Sequence, residues 1–203
     1  MLFVNNNLFI IGGASCSGKT TIAKEICEKH GYIYFSADDI IKTLNTNTDE
    51  QLKDVIDLYK ECVENSDNET SYEQYLKAVQ VYRNLSDYIF DILNSFNENR
   101  VVAEGMLFLP EIVYKKHISS ANYIALALND NIIFDLLKER NYVKKYYSQN
   151  CDVIFRRNNF INEHYQKECM LFGYEYYKFI SINDGSLHVA GKIINAFNFA
   201  ENN

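Results

Sequence analysis

Residues 13–20 read Gly-Ala-Ser-Cys-Ser-Gly-Lys-Thr, which fits the phosphate-loop pattern G-x-x-x-x-G-K-[ST] without a gap. The apolar run at 8–11 (LFII) precedes the motif and predicts a buried strand. After the motif, apolar residues recur at helical spacing as far as Cys27, and Gly31 follows where a helix commonly ends. Strand, loop and helix therefore stand in the order that a nucleotide phosphate site requires.

Each residue type in this motif has a physical task. Gly13 and Gly18 allow a tight turn, so that backbone N–H groups converge on phosphate oxygens beside the positive end of the helix. We expect Lys19 to bind the β- and γ-phosphates and the Thr20 hydroxyl to ligate Mg²⁺. A Gly/Ser-rich turn that matches the motif by chance is the alternative. The sequence thus predicts ATP and Mg²⁺ as cofactors, and the residues expected to bind the nucleotide are Gly13, Ala14, Ser15, Cys16, Ser17, Gly18, Lys19, Thr20 and Thr21.

The composition predicts a single soluble α/β domain over residues 1–203. Hydrophobic residues make up 47% and charged residues 23% of the chain, as in ordinary globular proteins. There is one Pro and no linker-like stretch, which argues against a second domain. The net charge of −7 argues against a general nucleic-acid binder, because phosphate backbones are bound by clustered Lys and Arg.

Cysteine usage and the N-terminus favour a cytoplasmic protein. The five cysteines are widely spaced and show no metal-ligand spacing, so we expect free thiols in a reducing compartment. The N-terminal apolar run lacks a basic flank and predicts a core strand, not a signal peptide. No apolar run reaches membrane-spanning length, and we expect no membrane association.

Strands and helices alternate along the rest of the chain. Further short apolar runs predict strands at about 32–35, 100–103, 121–128 and 175–182. Between them the pattern is helical over 43–99, with a loop at 64–71, then from about 130 to 140, around Phe160 up to Gly173, and from Ser186 onward. This alternation predicts a parallel sheet with helices on both faces, and ligands bind such sheets at the carboxyl ends of the strands.

Asp38 and Asp39 directly follow the second predicted strand and should lie at the same edge as the phosphate loop. A carboxylate there can take a proton from an acceptor hydroxyl or orient the acceptor, which makes both residues catalytic candidates. The alternative is that one of them only caps the following helix.

Glu104 and Gly105 end the third predicted strand at that edge. A buried carboxylate is costly unless it is paired or lies near a cation. Contact with the substrate, or with Mg²⁺ through water, is one interpretation, and a structural salt bridge is the other.

The segment 140–157 is basic and predicts a lid over the phosphates. Guanidinium groups stabilise the charge that spreads over the equatorial oxygens during phosphoryl transfer. Arg140 is the candidate for catalysis and nucleotide binding, and Arg156 and Arg157 are candidates for substrate binding.

Together these residues resemble the P-loop small-molecule kinases related to adenylate, uridine and nicotinamide riboside kinases. The resemblance covers most of the chain and rests on the phosphate loop, on the strand ends SADD (36–39) and VAEG (102–105), and on the basic segment near Arg140. The stretch RVVAEGMLFLP (100–110) looks most like the equivalent strand of 2-phosphoglycerate kinase-like proteins.

This resemblance implies a three-layer P-loop NTPase sandwich whose five parallel strands have the order 2-3-1-4-5. It implies a helical insertion on the acceptor side at 43–99 and a lid at 140–157. It also implies Lys19 and Thr20 on phosphate and Mg²⁺, Asp38 or Asp39 at the acceptor, and Arg140 in the lid. The lid departs from adenylate kinases in its arginine spacing, and the insertion matches no acceptor signature.

The resulting hypothesis is a phosphotransferase that moves the γ-phosphoryl group of ATP to a hydroxyl or phosphate of a small metabolite. A nucleotide-driven ATPase or switch is the first alternative, although the N-K-x-D motif of GTPases is absent. A polynucleotide end-kinase is the second, and the acidic charge disfavours it. A regulatory protein that binds ATP without turnover is a further one. We expect a small-molecule acceptor as partner; the sequence allows a homodimer but does not specify one.

Overall fold

A five-stranded parallel sheet is the centre of the fold in the computed structural model, which describes residues 7–44, 52–64, 70–96, 99–130, 132–133, 136 and 151–201. The strands lie in the order β2-β3-β1-β4-β5, which confirms the predicted topology. Their bounds are β1 Leu8–Gly12, β2 Ile33–Ser36, β3 Val101–Glu104, β4 Tyr123–Leu128 and β5 Glu175–Phe179.

Helices connect these strands and cover both faces of the sheet. In chain order they are α1 Lys19–His30, α2 Ala37–Leu44, α3 Lys53–Glu64, α4 Ser71–Asn94, α5 Pro110–Lys115, α6 Cys151–Phe172 and α7 Ile182–Glu201. None of the helices in the described part of the chain is long and apolar enough to cross a membrane.

The sheet divides the hydrophobic core into two layers. All five residues of β1 are buried, as expected of a central parallel strand with helices on both sides. Leu8 and Ile10 pack in one layer with residues of α4 and α6, such as Leu85. Phe9 and Ile11 alternate into the other layer with α1 and α7.

The strand register brings three predicted site segments to one edge. Ile11, just before the phosphate loop, pairs with Glu104 on β3, and Glu104 pairs with Ser36 at the end of β2. The phosphate loop, the start of α2 and the end of β3 are therefore neighbours, although they are far apart in sequence.

Two predicted boundaries near the C-terminus are wrong. β5 ends at Phe179, and α7 begins at Ile182, not at Ser186. The reason is a cap at Ser181, whose Oγ accepts a hydrogen bond from the Asp184 backbone N–H at 3.2 Å.

The second half of the predicted lid is part of a helix in the structure. Residues 151–157 form the first turns of α6, which extends as far as Phe172, so Arg156 and Arg157 lie on a helix and not in a loop. Residues 140–150, including Arg140, lie outside the described residues. The predicted helical insertion contains α3 and α4, and α4 begins with a reciprocal capping box between Thr70 and Glu73.

Candidate nucleotide-binding site

The phosphate loop leaves β1 in a conformation that requires glycine. Gly13 has a φ of 143°, and a Cβ at this position would lie 2.4 Å from the Leu126 carbonyl oxygen and 2.7 Å from Ser17 Oγ. Cys16 also has a positive φ of 61°, and the Ser17 N–H donates to the Ala14 carbonyl at 3.3 Å. These turns fold the loop back over the end of the strand.

Helix α1 starts at the end of this loop without a side-chain cap. Its N-cap is Gly18, its first turn contains no acidic residue, and its first backbone bond joins the Ile22 N–H to the Gly18 carbonyl. The amides of the first turn are thus directed at the loop with the positive end of the helix dipole. Thr20 and Thr21 in this turn are exposed. Such an end is suited to an anion.

Two buried polar side chains also favour the binding of an anion at this loop. Lys19 is 5% exposed, and its Nζ donates to the Ala14 carbonyl at 3.1 Å. Ser17 is 1% exposed, and its Oγ has no hydrogen-bond partner in the described part of the chain. A buried ammonium group and an unpartnered hydroxyl are costly in a dry core, and phosphate oxygens would satisfy both.

Asp38 faces this lysine across the edge of the sheet. Its Oδ2 lies 3.9 Å from Lys19 Nζ, and its Oδ1 accepts a hydrogen bond from the Met106 N–H at 3.1 Å. Burial raises the pKa of Asp38, and the charge of Glu104 raises it further, whereas Lys19 opposes the shift. Such a carboxylate accepts a proton more readily than an ordinary exposed aspartate.

Asp39 lies outside this cluster. Its carboxylate is largely exposed and forms an ion pair with Lys42 at 2.8 Å. Ser36 provides the helix cap that we considered for the aspartates, because its Oγ accepts from the Asp39 N–H at 3.3 Å. Of the two adjacent acids, only Asp38 is near the phosphate loop.

Glu104 is a buried carboxylate with one oxygen unpartnered. The side chain is 1% exposed, and Oε1 accepts a hydrogen bond from the Tyr34 hydroxyl at 2.8 Å. No described residue forms a hydrogen bond with Oε2. Burial raises the pKa of Tyr34, as does the charge of Glu104, so this hydroxyl stays protonated. The simple salt bridge that we considered for Glu104 does not occur among the described residues.

Gly105 lets α2 approach the end of β3. A Cβ on Gly105 would lie 2.8 Å from the Ala37 Cβ and 3.2 Å from Asp38 Oδ1. The next residue, Met106, contacts Asp38 through its N–H and the Ser15 hydroxyl through its Sδ at 3.2 Å. This loop therefore fixes the position of Asp38 relative to the phosphate loop.

Helix α6 supplies groups that the sequence did not indicate. Asn158 Nδ2 donates to the Ser15 carbonyl at 3.3 Å, and the Tyr165 hydroxyl donates to the Met106 carbonyl at 2.8 Å. The helical pattern identified Tyr165 only as part of an apolar face. A signal was available in Asn158 and Asn162, two amides spaced one turn apart on that face.

The arginines predicted to bind the substrate differ in their exposure to solvent. Arg156 is exposed on α6, and its neighbour Arg157 is buried. Arg140 lies outside the described residues, and its role in the lid stays a prediction.

Away from the phosphate loop, side chains of the types that bind metal ions come together between α5 and α6. Carboxylate and imidazole atoms of Glu111, His164 and Glu168 come within 4.8 Å of one another. Arg83 and Lys115 both form ion pairs with Glu111, so its charge is already compensated. We interpret this group as an ion-pair cluster that holds α5 against α6.

Comparisons with known proteins agree with this arrangement. A family profile described as an AAA domain matches residues 8–106, which include the phosphate loop and both acidic strand ends. No curated protein of similar sequence is found.

Similar folds occur among solved structures. TT1252 from Thermus thermophilus has 17% identity and a TM-score of 0.51, with 96% of this chain and 97% of that chain covered. A shikimate kinase from Bacteroides thetaiotaomicron has 14% identity and a TM-score of 0.45, with 96% of both chains covered. YorR from Bacillus subtilis, solved in complex with phosphorylated GDP, has 14% identity and a TM-score of 0.45, with 97% and 98% covered. The phosphate-loop motif and the parallel 2-3-1-4-5 sheet with helices on both faces give the chain the fold of the P-loop NTPases.

Proposed function

We propose that the protein is a phosphotransferase that moves the γ-phosphoryl group of ATP to an oxygen of a small-molecule acceptor. The observation that carries this proposal is the 3.9 Å separation between Lys19 Nζ and Asp38 Oδ2. A phosphate-binding cation and a carboxylate with a raised pKa thus face each other where donor and acceptor would meet.

The nucleotide side of the reaction would be held by residues 13–21. The amides of the loop and of the first turn of α1 would bind the phosphate oxygens, and Lys19 would turn from the Ala14 carbonyl to the β- and γ-phosphates. Arg140, Arg156 and Arg157 are our candidates for closing over the transferred group. Of the two that the structure describes, Arg157 is already buried and Arg156 is exposed.

The residues present fit a Mg²⁺ ion. Thr20 offers a hydroxyl at the start of α1, and the unpartnered Oε2 of Glu104 offers an acceptor for a water bound to the metal. When bound, the ion neutralises charge on the β- and γ-phosphates. Tyr34 would hold the Glu104 carboxylate in place through Oε1.

The acceptor side of the reaction would depend on Asp38. An acceptor hydroxyl oxygen attacks the γ-phosphorus, the bond from that phosphorus to the β–γ bridging oxygen breaks, and ADP leaves with the electron pair. The acceptor proton passes to Asp38 Oδ2. Positioning and electrostatics supply most of the catalysis in such reactions, so the Met106 N–H that fixes Oδ1 has a direct role.

The test is ATP consumption by the purified protein in the presence of Mg²⁺ and individual metabolites. We expect ADP to form quickly only with a particular acceptor, and Lys19→Ala to abolish this transfer. Lys29→Ala is the matched control, because Lys29 is exposed in the last turn of α1, and it should retain full activity. ATP hydrolysis independent of any acceptor would favour an ATPase or switch, and label on oligonucleotide ends would favour a polynucleotide end-kinase.

A further inference from the structure

Helix α6 carries two buried amide side chains with unpartnered oxygens. Asn158 is fully buried and Asn162 is 8% exposed. The Oδ1 atom of each is buried and has no hydrogen-bond partner among the residues that the structure describes. A buried polar group that nothing satisfies destabilises the folded state, so two such groups on one helix face indicate a ligand.

This helix face adjoins the proposed reaction site. Asn158 Nδ2 donates to the Ser15 carbonyl in the phosphate loop, and the Tyr165 hydroxyl donates to the carbonyl of Met106, whose N–H holds Asp38. Asn162 lies between Asn158 and Tyr165 at helical spacing and therefore shares their face. The helix face that carries both amides thus contacts the phosphate loop at Asn158 and, at Tyr165, the residue that holds Asp38.

Both unpartnered atoms are amide oxygens, which accept hydrogen bonds. Asn158 is oriented by its bond to a carbonyl, which can only accept, so its free atom is the Oδ1 acceptor. Asn162 presents the same kind of atom. A ligand that satisfies them must donate hydrogen bonds, as hydroxyl and amine groups do.

Two carboxylates at this edge of the sheet disfavour an anionic acceptor. Asp38 and Glu104 are both carboxylates at this edge. Burial raises the pKa of Asp38, Lys19 opposes this shift, and the charge of Glu104 adds to it. A phosphate or carboxylate on the acceptor would face these two groups together with the amide oxygens, and like charges at close range are unfavourable.

We propose that Asn158 and Asn162 bind hydroxyl or amine protons of a polyhydroxylated acceptor that is neutral or cationic, and that the site excludes anionic acceptors. This inference rests on the proposed function and narrows its acceptor from a hydroxyl or phosphate to a hydroxyl. The phosphoryl group goes to a hydroxyl oxygen of the same compound, with its proton taken by Asp38.

The first experiment uses a metabolite extract freed of nucleotides and separated by ion exchange into anionic, neutral and cationic fractions. The full-length protein is incubated with each fraction and Mg²⁺ with γ-³²P-labelled ATP. Labelled product from the neutral fraction supports a polyol acceptor, and product from the cationic fraction supports an amino-polyol. Product from the anionic fraction alone, or from none, overturns the inference.

Calorimetry with Mg²⁺ and a non-hydrolysable ATP analogue separates this inference from the proposed function. If the nucleotide binds and only anionic compounds are phosphorylated, the acceptor class is wrong and the kinase proposal stands. If the nucleotide does not bind, the proposed function itself fails.

Variants of Asn162 then test the contact with the compound found in the active fraction. Asn162→Leu should raise the KM for the acceptor about tenfold or more and leave the Kd for ATP unchanged. Asn162→Asp keeps an acceptor oxygen and should retain binding, most strongly for a cationic compound. Asn159→Leu, at the neighbouring half-buried amide on the same helix, is the control and should leave KM unchanged. Equal KM values for wild type and Asn162→Leu in a folded protein would overturn the inference.

Discussion

Asp38 combines the two properties that a general base in this site needs, a fixed position and a raised pKa. The Met106 N–H and Lys19 hold its two oxygens, whereas Asp39 is paired with Lys42 at the surface. We expect Asp38→Asn to lower kcat by about 10²–10⁴-fold, because the loss of a general base has this size, and to change the Kd for ATP by less than about threefold, a much smaller effect. Asp39→Asn should behave as wild type in the same steady-state assay. Equal losses in both variants would contradict the assignment.

The raised pKa of Asp38 also has a consequence for stability. Because its folded pKa lies above the ordinary value of 3.8, the folded protein binds more protons in the interval between them, and the free energy of unfolding falls as pH rises through that interval. Asp38→Asn removes this dependence and should melt at a higher temperature than wild type above the raised pKa. The activity of wild type should fall as pH is lowered through the same interval, since a protonated Asp38 cannot accept a proton. Melting curves and kcat recorded at a series of pH values from 3.8 upward would check both effects.

Among the structural elements, the junction between β3 and α2 controls the site most directly. In Gly105→Ala, the added methyl group would meet the Ala37 Cβ at 2.8 Å and Asp38 Oδ1 at 3.2 Å, so α2 must shift. We expect kcat to fall about 10²-fold, as displacements near 1 Å can cause, with a loss of about 1–3 kcal/mol in the free energy of unfolding. Gly191→Ala is the matched control, because Gly191 is in α7 with open space around its Cα, and it should stabilise the protein by about 0.5–1 kcal/mol. An unchanged kcat in Gly105→Ala would show that this contact does not position Asp38.

The elements also show what a sequence can predict. The order of strand, loop and helix around the phosphate loop depends on local patterns of apolar residues and glycine, and the structure has this order. The sheet order, which the resemblance to the P-loop kinases implied, is confirmed as well. The start of α7 depends on one serine cap, and the choice between Asp38 and Asp39 depends on contacts with Lys19 and Met106, which are distant in sequence. The role of Asn158 also depends on a residue distant in sequence, because its partner Ser15 lies in the phosphate loop. Periodicity identifies the buried face of a helix but does not indicate which distant groups its polar residues meet.

At the scale of the whole molecule, an acidic protein carries a locally positive site at its phosphate loop. The net charge is −7, yet the phosphate loop joins a buried lysine to a helix N-terminus with no acidic residue in its first turn. Phosphate binding there depends on short-range hydrogen bonds and on the helix dipole, which the distant negative charges weaken little in physiological salt.

A nucleotide that binds at this site should therefore stabilise the folded protein through its phosphate groups, and a nucleoside without phosphates should not. Mg²⁺-ATP at about 100 times its Kd should raise the free energy of unfolding by about 2.7 kcal/mol, which for a chain of this size is a shift of about 5–10 °C in the melting temperature. Chelation of Mg²⁺ with EDTA should remove part of the shift, because the unpartnered Oε2 of Glu104 would then face the phosphates without a cation between them. Adenosine, which lacks the tail, should give no shift. Differential scanning calorimetry with these ligands decides the matter: a shift with adenosine as large as that with Mg²⁺-ATP would mean that recognition occurs at the base and that the amides at the start of α1 do not carry it.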